Sequence, residues 1–176
     1  MFLLDESFAE FDETYRYPDA TSLHNLLIAR SMTKLFTVPG LRVGYAHGHP
    51  DLIRTIRHGI PPWSVNAFAQ AFAGRAYADS AYINHTRRTI RADREGLSRR
   101  IKQLPGTHVF PTQANFLLLR LPSKLEDLVR RLLEQEGIAV RDCGNFDGLD
   151  PSYIRVAVKR RGDNERLCDA LERHLL

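Results

Sequence analysis

Lys34 directly follows a short apolar run, residues 25–31, that reads as a buried strand, and the hydroxyl residues Ser31 and Thr33 flank it. An amine placed there is partly withdrawn from water, which lowers its pKa and favours the neutral form that attacks a carbonyl. Arg42 comes eight residues later, after the turn signal Pro39-Gly40. Ser31, Thr33 and Arg42 together could hold a phosphate, the arginine bidentately. On spacing alone, an ordinary surface loop lysine accounts for Lys34 equally well.

Other chemistries find less support. Cys143 and Cys168 lie far apart, without metal-ligand spacing to any histidine pair, so reduced thiols in a cytoplasmic protein are the simplest account. His47 and His49 are one residue apart, but no third ligand sits near them in the sequence, and no metal site is expected. The formal charge is +4, carried by 21 arginines against four lysines: Lys34, Lys102, Lys124 and Lys159. The densest run, Arg87, Arg88, Arg91, Arg94, Arg99 and Arg100, shares its segment with Ile83, Ile90, Leu97, Ile101 and Leu104. Those apolar positions form one helical stripe, which puts most of the arginines on the opposite, solvated face and argues against a nucleic-acid partner.

The elements that must position Lys34 follow from the patterning. Residues 1–5, 25–31 and 41–48 read as strands, 51–57 as a short helix, about 66–78 as an Ala-rich helix and about 81–104 as the arginine-rich helix. Past Pro105-Gly106 the order becomes strand (107–111), strand (115–121), helix (124–136), strand (138–142), strand (153–158) and helix (163–175), with Asp163 as the N-cap of the last. The pattern divides the chain into a partial large domain (1–78), a connecting long helix (79–104) and a small α+β subdomain (105–176). Three N-terminal strands do not complete a sheet, because strands buried on both faces need neighbours and covering helices. The chain is expected to be the C-terminal part of something larger. With 176 residues, 43% of them hydrophobic, it can still bury a real core. No apolar run approaches the roughly 18 residues of a membrane span, and the start MFLLDESF lacks a basic region, so neither a membrane partner nor a signal peptide is expected.

The pattern S-x-T-K-x-F-x-x-P-G-L-R-x-G, residues 31–44, resembles the cofactor-lysine signature of fold-type I pyridoxal-phosphate enzymes of the class I/II aminotransferase superfamily. Asp5-Glu6-Ser7-Phe8-Ala9-Glu10-Phe11 resembles the strand-end D-E-x-[FY]-x-x-F of the same enzymes, and the likeness continues through Asn115 and Arg155 to the C-terminus. The resemblance implies an α/β fold: the C-terminal part of a pyridoxal-phosphate transferase large domain, a partial sheet with helices, followed by a small α+β subdomain.

It also implies roles. Lys34 would carry pyridoxal 5'-phosphate through an imine bond and later move protons. Asp5 would keep the pyridine nitrogen protonated and the ring an effective electron sink. Ser31, Thr33 and Arg42 would bind the cofactor phosphate. Arg155, in YIRVAV, matches an arginine that clamps a substrate anion, usually the carboxylate. Arg141 resembles a second anion-binding arginine in the branches that use phosphorylated substrates, although an exposed strand-end arginine is also ordinary. Asn115 matches a polar residue lining the same pocket. Two such arginines suit a small phosphorylated amino-acid substrate.

Among the branches, Pro61-Pro62-Trp63-Ser64-Val65-Asn66 and the segment Cys143 to Leu149 resemble threonine-phosphate decarboxylases of cobalamin biosynthesis. Phe8 stands where histidinol-phosphate aminotransferases typically carry a tyrosine. The implied activity is decarboxylation of L-threonine O-3-phosphate, with a histidinol-phosphate aminotransferase-like reaction as the alternative. Members of the family are longer and build their sites as homodimers. The upstream Gly-rich phosphate loop, the ring-stacking aromatic and a cofactor-contacting asparagine are therefore expected outside this chain. A non-catalytic fragment that needs an N-terminal partner is the alternative of another class.

Overall fold

A computed structural model of the chain describes residues 1–122 and 127–175. The chain divides into two compact units, Met1–Arg87 and Arg88–Leu176.

The first unit is built on a three-stranded sheet of β1 (Phe2–Asp5), β2 (Leu26–Ser31) and β3 (Gly44–Gly48), in that order. β1 and β2 run parallel, with Asp5 opposite Ala29; β2 and β3 run antiparallel, with Ser31 opposite Gly44. Gly44 allows this pairing: a Cβ there would sit 2.6 Å from the carbonyl oxygen of Arg30. Between β2 and β3 lie α1 (Met32–Leu35), a single turn, and a 3-10 turn at Pro39–Leu41. The expected strand over 41–48 therefore starts only at Gly44. Proline at the head of the 3-10 turn and Arg42 in the left-handed region, φ 50° and ψ 51°, keep the chain from extending earlier. Thr37 and Trp63 also hold positive φ, at 52° and 55°. α2 (Pro50–His58) and α3 (Ala67–Ala76) follow. Ile28, Met32, Leu35 and Phe36 are buried, and Phe36 packs against Phe72, Tyr77 and Tyr82 at centroid distances of 6.0, 5.2 and 5.8 Å. β1 has one strand neighbour among the described residues, and Phe2 and Leu3 are 68% and 65% exposed.

α4 (Ser80–Ile101) crosses the boundary between the units. Tyr82 and Arg87 make their contacts in the first unit, while Leu97 and Ile101 belong to the core of the second. The solvated-face expectation needs one correction. Arg94 is buried, 6% exposed, and donates to the carbonyl of Gln113 at 2.6 Å and to its Oε1 at 2.9 Å. Its position explains this: residues 90, 94, 97 and 101 follow helical spacing, so Arg94 lies on the apolar stripe itself.

The second unit is a four-stranded antiparallel sheet in the order β4 (His108–Val109), β5 (Phe116–Arg120), β7 (Tyr153–Ala157), β6 (Arg141–Asp142). α5 (Leu128–Glu136) and α6 (Arg161–Leu175) accompany it. The alternation along β5 and β7 buries Leu117, Leu119, Ile154 and Val156 against Leu128, Leu132 and Leu171. The expected beginning of α5, residues 124–126, lies outside the described residues. α6 starts at Arg161, so Asp163 is a first-turn residue and not the N-cap. The side chain of Asn164 is the reason: it bonds both the N–H and the carbonyl of Lys159, at 2.9 and 2.8 Å, and pulls the helix start forward. Asp163 still complements the helix dipole there. Cys143 and Cys168 are free and buried. No helix among the described residues is long and apolar enough to cross a membrane.

Candidate active site

The residues predicted to hold the cofactor gather at the C-terminal ends of β1 and β2. Asp5 is the last residue of β1, and the N–H of Glu6 bonds the carbonyl of Ala29 at 2.8 Å, which carries the parallel register past the strand end. Ser31 closes β2 and caps α1, accepting from the Thr33 N–H at 3.3 Å. Its hydroxyl lies 2.7 Å from that of Thr33, so the two form one hydrogen-bonding pair beside Lys34. The lysine Nζ stands 5.5 Å from the centroid of the Phe8 ring.

Asp5 has its carboxyl held below the usual range, first by the hydroxyl and amide of Ser7, whose N–H donates at 2.8 Å, and in smaller part by the charge of Lys34. Arg42 sits in the left-handed conformation and donates to the Pro39 carbonyl at 3.1 Å, which anchors the guanidinium at the end of the loop. One expectation is corrected: Lys34 is exposed in this chain, not partly desolvated. On a one-turn helix Met32 and Leu35 take the buried positions, and Lys34 is left facing outward.

These groups fit pyridoxal phosphate. The Ser31–Thr33 pair offers hydroxyl donors and Arg42 a charged donor for a phosphate. Asp5, held ionised, is the acceptor that a protonated pyridine nitrogen requires. Lys34 supplies an amine for the aldehyde.

A device missed in the sequence locks this arrangement. Glu6, with its side chain 1% exposed, accepts from Arg30 Nε at 2.8 Å and from the Tyr15 hydroxyl at 2.9 Å. Arg30 continues to the Tyr45 hydroxyl at 3.1 Å and lies 4.1 Å from the Tyr17 ring. The buried pair thus ties the residue after Asp5 to the residue before Ser31. The only sequence signal is adjacency: both partners sit next to predicted site residues at strand ends. Glu10 is buried too, accepting from Tyr77 at 2.6 Å, and burial raises its carboxyl above the usual range.

The substrate candidates lie in the second unit. Arg141 and Arg155 are directly opposite one another across β6 and β7. Both are exposed, and each guanidinium lies over an aromatic ring: Arg155 over Phe116 at 4.9 Å, Arg141 over Phe146 at 5.6 Å. Asn115 immediately precedes β5, and its carbonyl accepts from Val158 at 2.9 Å, next to the Phe116 shelf.

The histidines also need a correction. His49 does have neighbours: ligand atoms of His24, His49 and Asp51 lie within 4.8 Å of one another, and the two ring centroids are 3.6 Å apart with the planes tilted by 38°. A cation there would face the N-terminus of α2 and Arg54, already 2.9 Å from Asp51, so the cluster is read as an N-cap, with His49 accepting from the Asp51 N–H at 3.3 Å.

Comparison with known proteins gives the family and the fold. The family model for aminotransferase class I and II matches residues 1–171. The threonine-phosphate decarboxylase of Salmonella typhimurium is 40% identical over 172 residues, covering 96% of this chain and 47% of the relative. A histidinol-phosphate aminotransferase of Methanoculleus marisnigri is 32% identical, covering 98% and 48%. The crystal structure of L-threonine-O-3-phosphate decarboxylase from Porphyromonas gingivalis superposes with a TM-score of 0.86 at 30% identity, covering 99% of this chain and 55% of that one. The chain spans about half the length of the curated relatives it matches. It belongs to the class I and II aminotransferase family, whose cofactor is pyridoxal phosphate.

Proposed function

We propose that this chain forms the cofactor-lysine and anion-binding portion of a pyridoxal-phosphate-dependent lyase that decarboxylates L-threonine O-3-phosphate to 1-amino-2-propanol O-2-phosphate. The observation that carries the reading is the cross-strand pair Arg141 and Arg155. Like charges directly opposite in a sheet are destabilising by themselves. They are retained where an anion neutralises them, and a substrate with a carboxylate and a phosphate brings one anion for each arginine. The 40% identity to the Salmonella typhimurium decarboxylase supports the same branch.

Bound pyridoxal phosphate supplies an electrophilic aldehyde and a ring that accepts the electron pair of the bond broken at Cα. Ser31, Thr33 and Arg42 would hold its phosphate, and Asp5 would keep the ring nitrogen protonated. Lys34 would hold the cofactor through Nζ and would carry the proton that Cα receives. Arg141 and Arg155 would fix the two anionic groups of the substrate and, with them, the orientation of the bonds at Cα. Anchoring that favours loss of the carboxylate would give decarboxylation; anchoring that favours loss of the Cα proton would give transamination. The whole protein acts as a cytoplasmic homodimer on a small phosphorylated amino acid, with no nucleic-acid or membrane partner. Exposed Trp63 and Phe68, at 95% and 82%, support an apolar contact surface.

The test is carbon dioxide release from carboxyl-labelled L-threonine O-3-phosphate by the protein supplied with pyridoxal phosphate. The second reading, transamination of histidinol phosphate, has the Methanoculleus marisnigri relative in its favour. Transamination of that compound without carbon dioxide release from threonine phosphate would reverse the assignment.

A further inference from the structure

The segment Cys143 to Leu149 takes no part in the reaction outlined above, yet it closes around Arg141. We propose that Asn145, seconded by Phe146, is the positioning residue that holds Arg141 for the second anionic group of the substrate and so sets the preference for phosphorylated over unphosphorylated amino acids. The inference rests on the reading of Arg141 and Arg155 as an anion pair.

Arg141 Nη2 donates to Asn145 Oδ1 at 3.0 Å, and its guanidinium lies 5.6 Å from the centroid of the Phe146 ring. The turn that presents both residues is internally braced. Asp142 Oδ1 accepts from the Gly144 N–H at 2.7 Å, and the Phe146 N–H donates to the Cys143 carbonyl at 3.0 Å. A Cβ at Gly144 would lie 3.1 Å from the backbone nitrogen of Pro151, so the turn packs closely against the chain leading into β7. Cys143, 3% exposed, anchors its start in the interior. The position of Asn145 is therefore set by backbone and not by its own exposed side chain.

The chemistry of an amide suits this task. Asn145 takes one of the five N–H donors of Arg141 and leaves the charge intact. A carboxylate in its place would hold the guanidinium more strongly, but would also neutralise it and compete with an incoming anion. Arg155 rests on a different shelf, Phe116, at 4.9 Å. Loss of Asn145 should then release Arg141 alone, and binding of a second anionic group should suffer while binding of the first does not.

The experiment titrates the chain with 3-phosphonopropionate, which carries a carboxylate and a phosphonate but no amine, and with propionate, followed by NMR at the amides of Asp142 and Ile154. The wild-type chain is expected to prefer the phosphonate. Asn145→Ala should weaken 3-phosphonopropionate about tenfold, the scale of one hydrogen bond to a charged group, and leave propionate and the melting temperature unchanged. Asn145→Asp should weaken it further although the hydrogen bond survives, whereas a merely structural role would have aspartate rescue the loss. Phe146→Leu should cost about threefold by removing the ring face. Unchanged affinity in Asn145→Ala, or rescue by aspartate, overturns the proposal and leaves the anion-pair reading standing. A wild-type chain with no preference for the phosphonate overturns both.

Discussion

Glu6 and Arg30 should behave as an asymmetric pair. In Arg30→Met the stem is replaced at similar length and only the guanidinium goes. The Glu6 carboxylate, 1% exposed, then keeps one partner, the Tyr15 hydroxyl at 2.9 Å. Stranding a buried charge in this way costs about 3–5 kcal/mol. In Glu6→Gln the volume is kept and the amide oxygen still accepts from Tyr15. Arg30, 15% exposed, keeps the Tyr45 hydroxyl and the face of Tyr17. That variant should cost only about 1–2 kcal/mol, the scale of an exchanged hydrogen bond. The double variant should be less unstable than the sum, with a coupling of about 1–3 kcal/mol. Urea unfolding of the four proteins measures all three quantities. The same variants should weaken pyridoxal-phosphate binding, because Asp5 and Ser31 sit beside the two partners. Equal costs for the two single variants, or simple additivity, would show that the pair does not tie the strand ends together.

Two further outcomes are expected. Titration with pyridoxal phosphate should produce a visible absorption band that Lys34→Ala abolishes while leaving far-UV circular dichroism unchanged; a band of equal intensity in the variant would remove Lys34 from the site. For Glu10 the sign follows from a folded-state pKa raised by burial above its ordinary 4.5: its contribution to stability is complete below that ordinary value and is lost as pH rises through the raised one. Glu10→Gln, which can still accept from Tyr77, should flatten this decline and raise the urea midpoint at pH 7 but not at pH 4; a lower midpoint at pH 7 would reverse the argument.

Periodicity and punctuation located the strands and the longer helices among the described residues, because alternation in β5 and β7 and helical spacing in α4 are properties of consecutive residues; the single turn α1 and the 3-10 turn at Pro39–Leu41 are too short to carry a period. Ends were harder to place. The left-handed Arg42 shortens β3, and the Asn164 clasp on Lys159 starts α6 early; both turn on local conformation and side-chain bonding that hydrophobic patterning does not report. The candidate cofactor residues are legible through a long motif, whereas the cross-strand meeting of Arg141 with Arg155 depends on a register that only the fold supplies. Glu6–Arg30 escaped notice because its partners are 24 residues apart and each reads as an ordinary surface charge. Arg94 is different: helical spacing with Ile90, Leu97 and Ile101 already puts it among the apolar positions, apart from the solvated arginines of the same helix.

Thr37, Arg42 and Trp63 all hold positive φ without being glycine, a conformation that costs a side chain about 1–2 kcal/mol. A library of variants sorted only by heat resistance should therefore enrich glycine at these three positions. At Arg42 that winner would preserve the loop and discard the charge proposed to hold the phosphate. Robustness and purpose pull in opposite directions there, and any engineering campaign on this scaffold must select for ligand capture alongside survival.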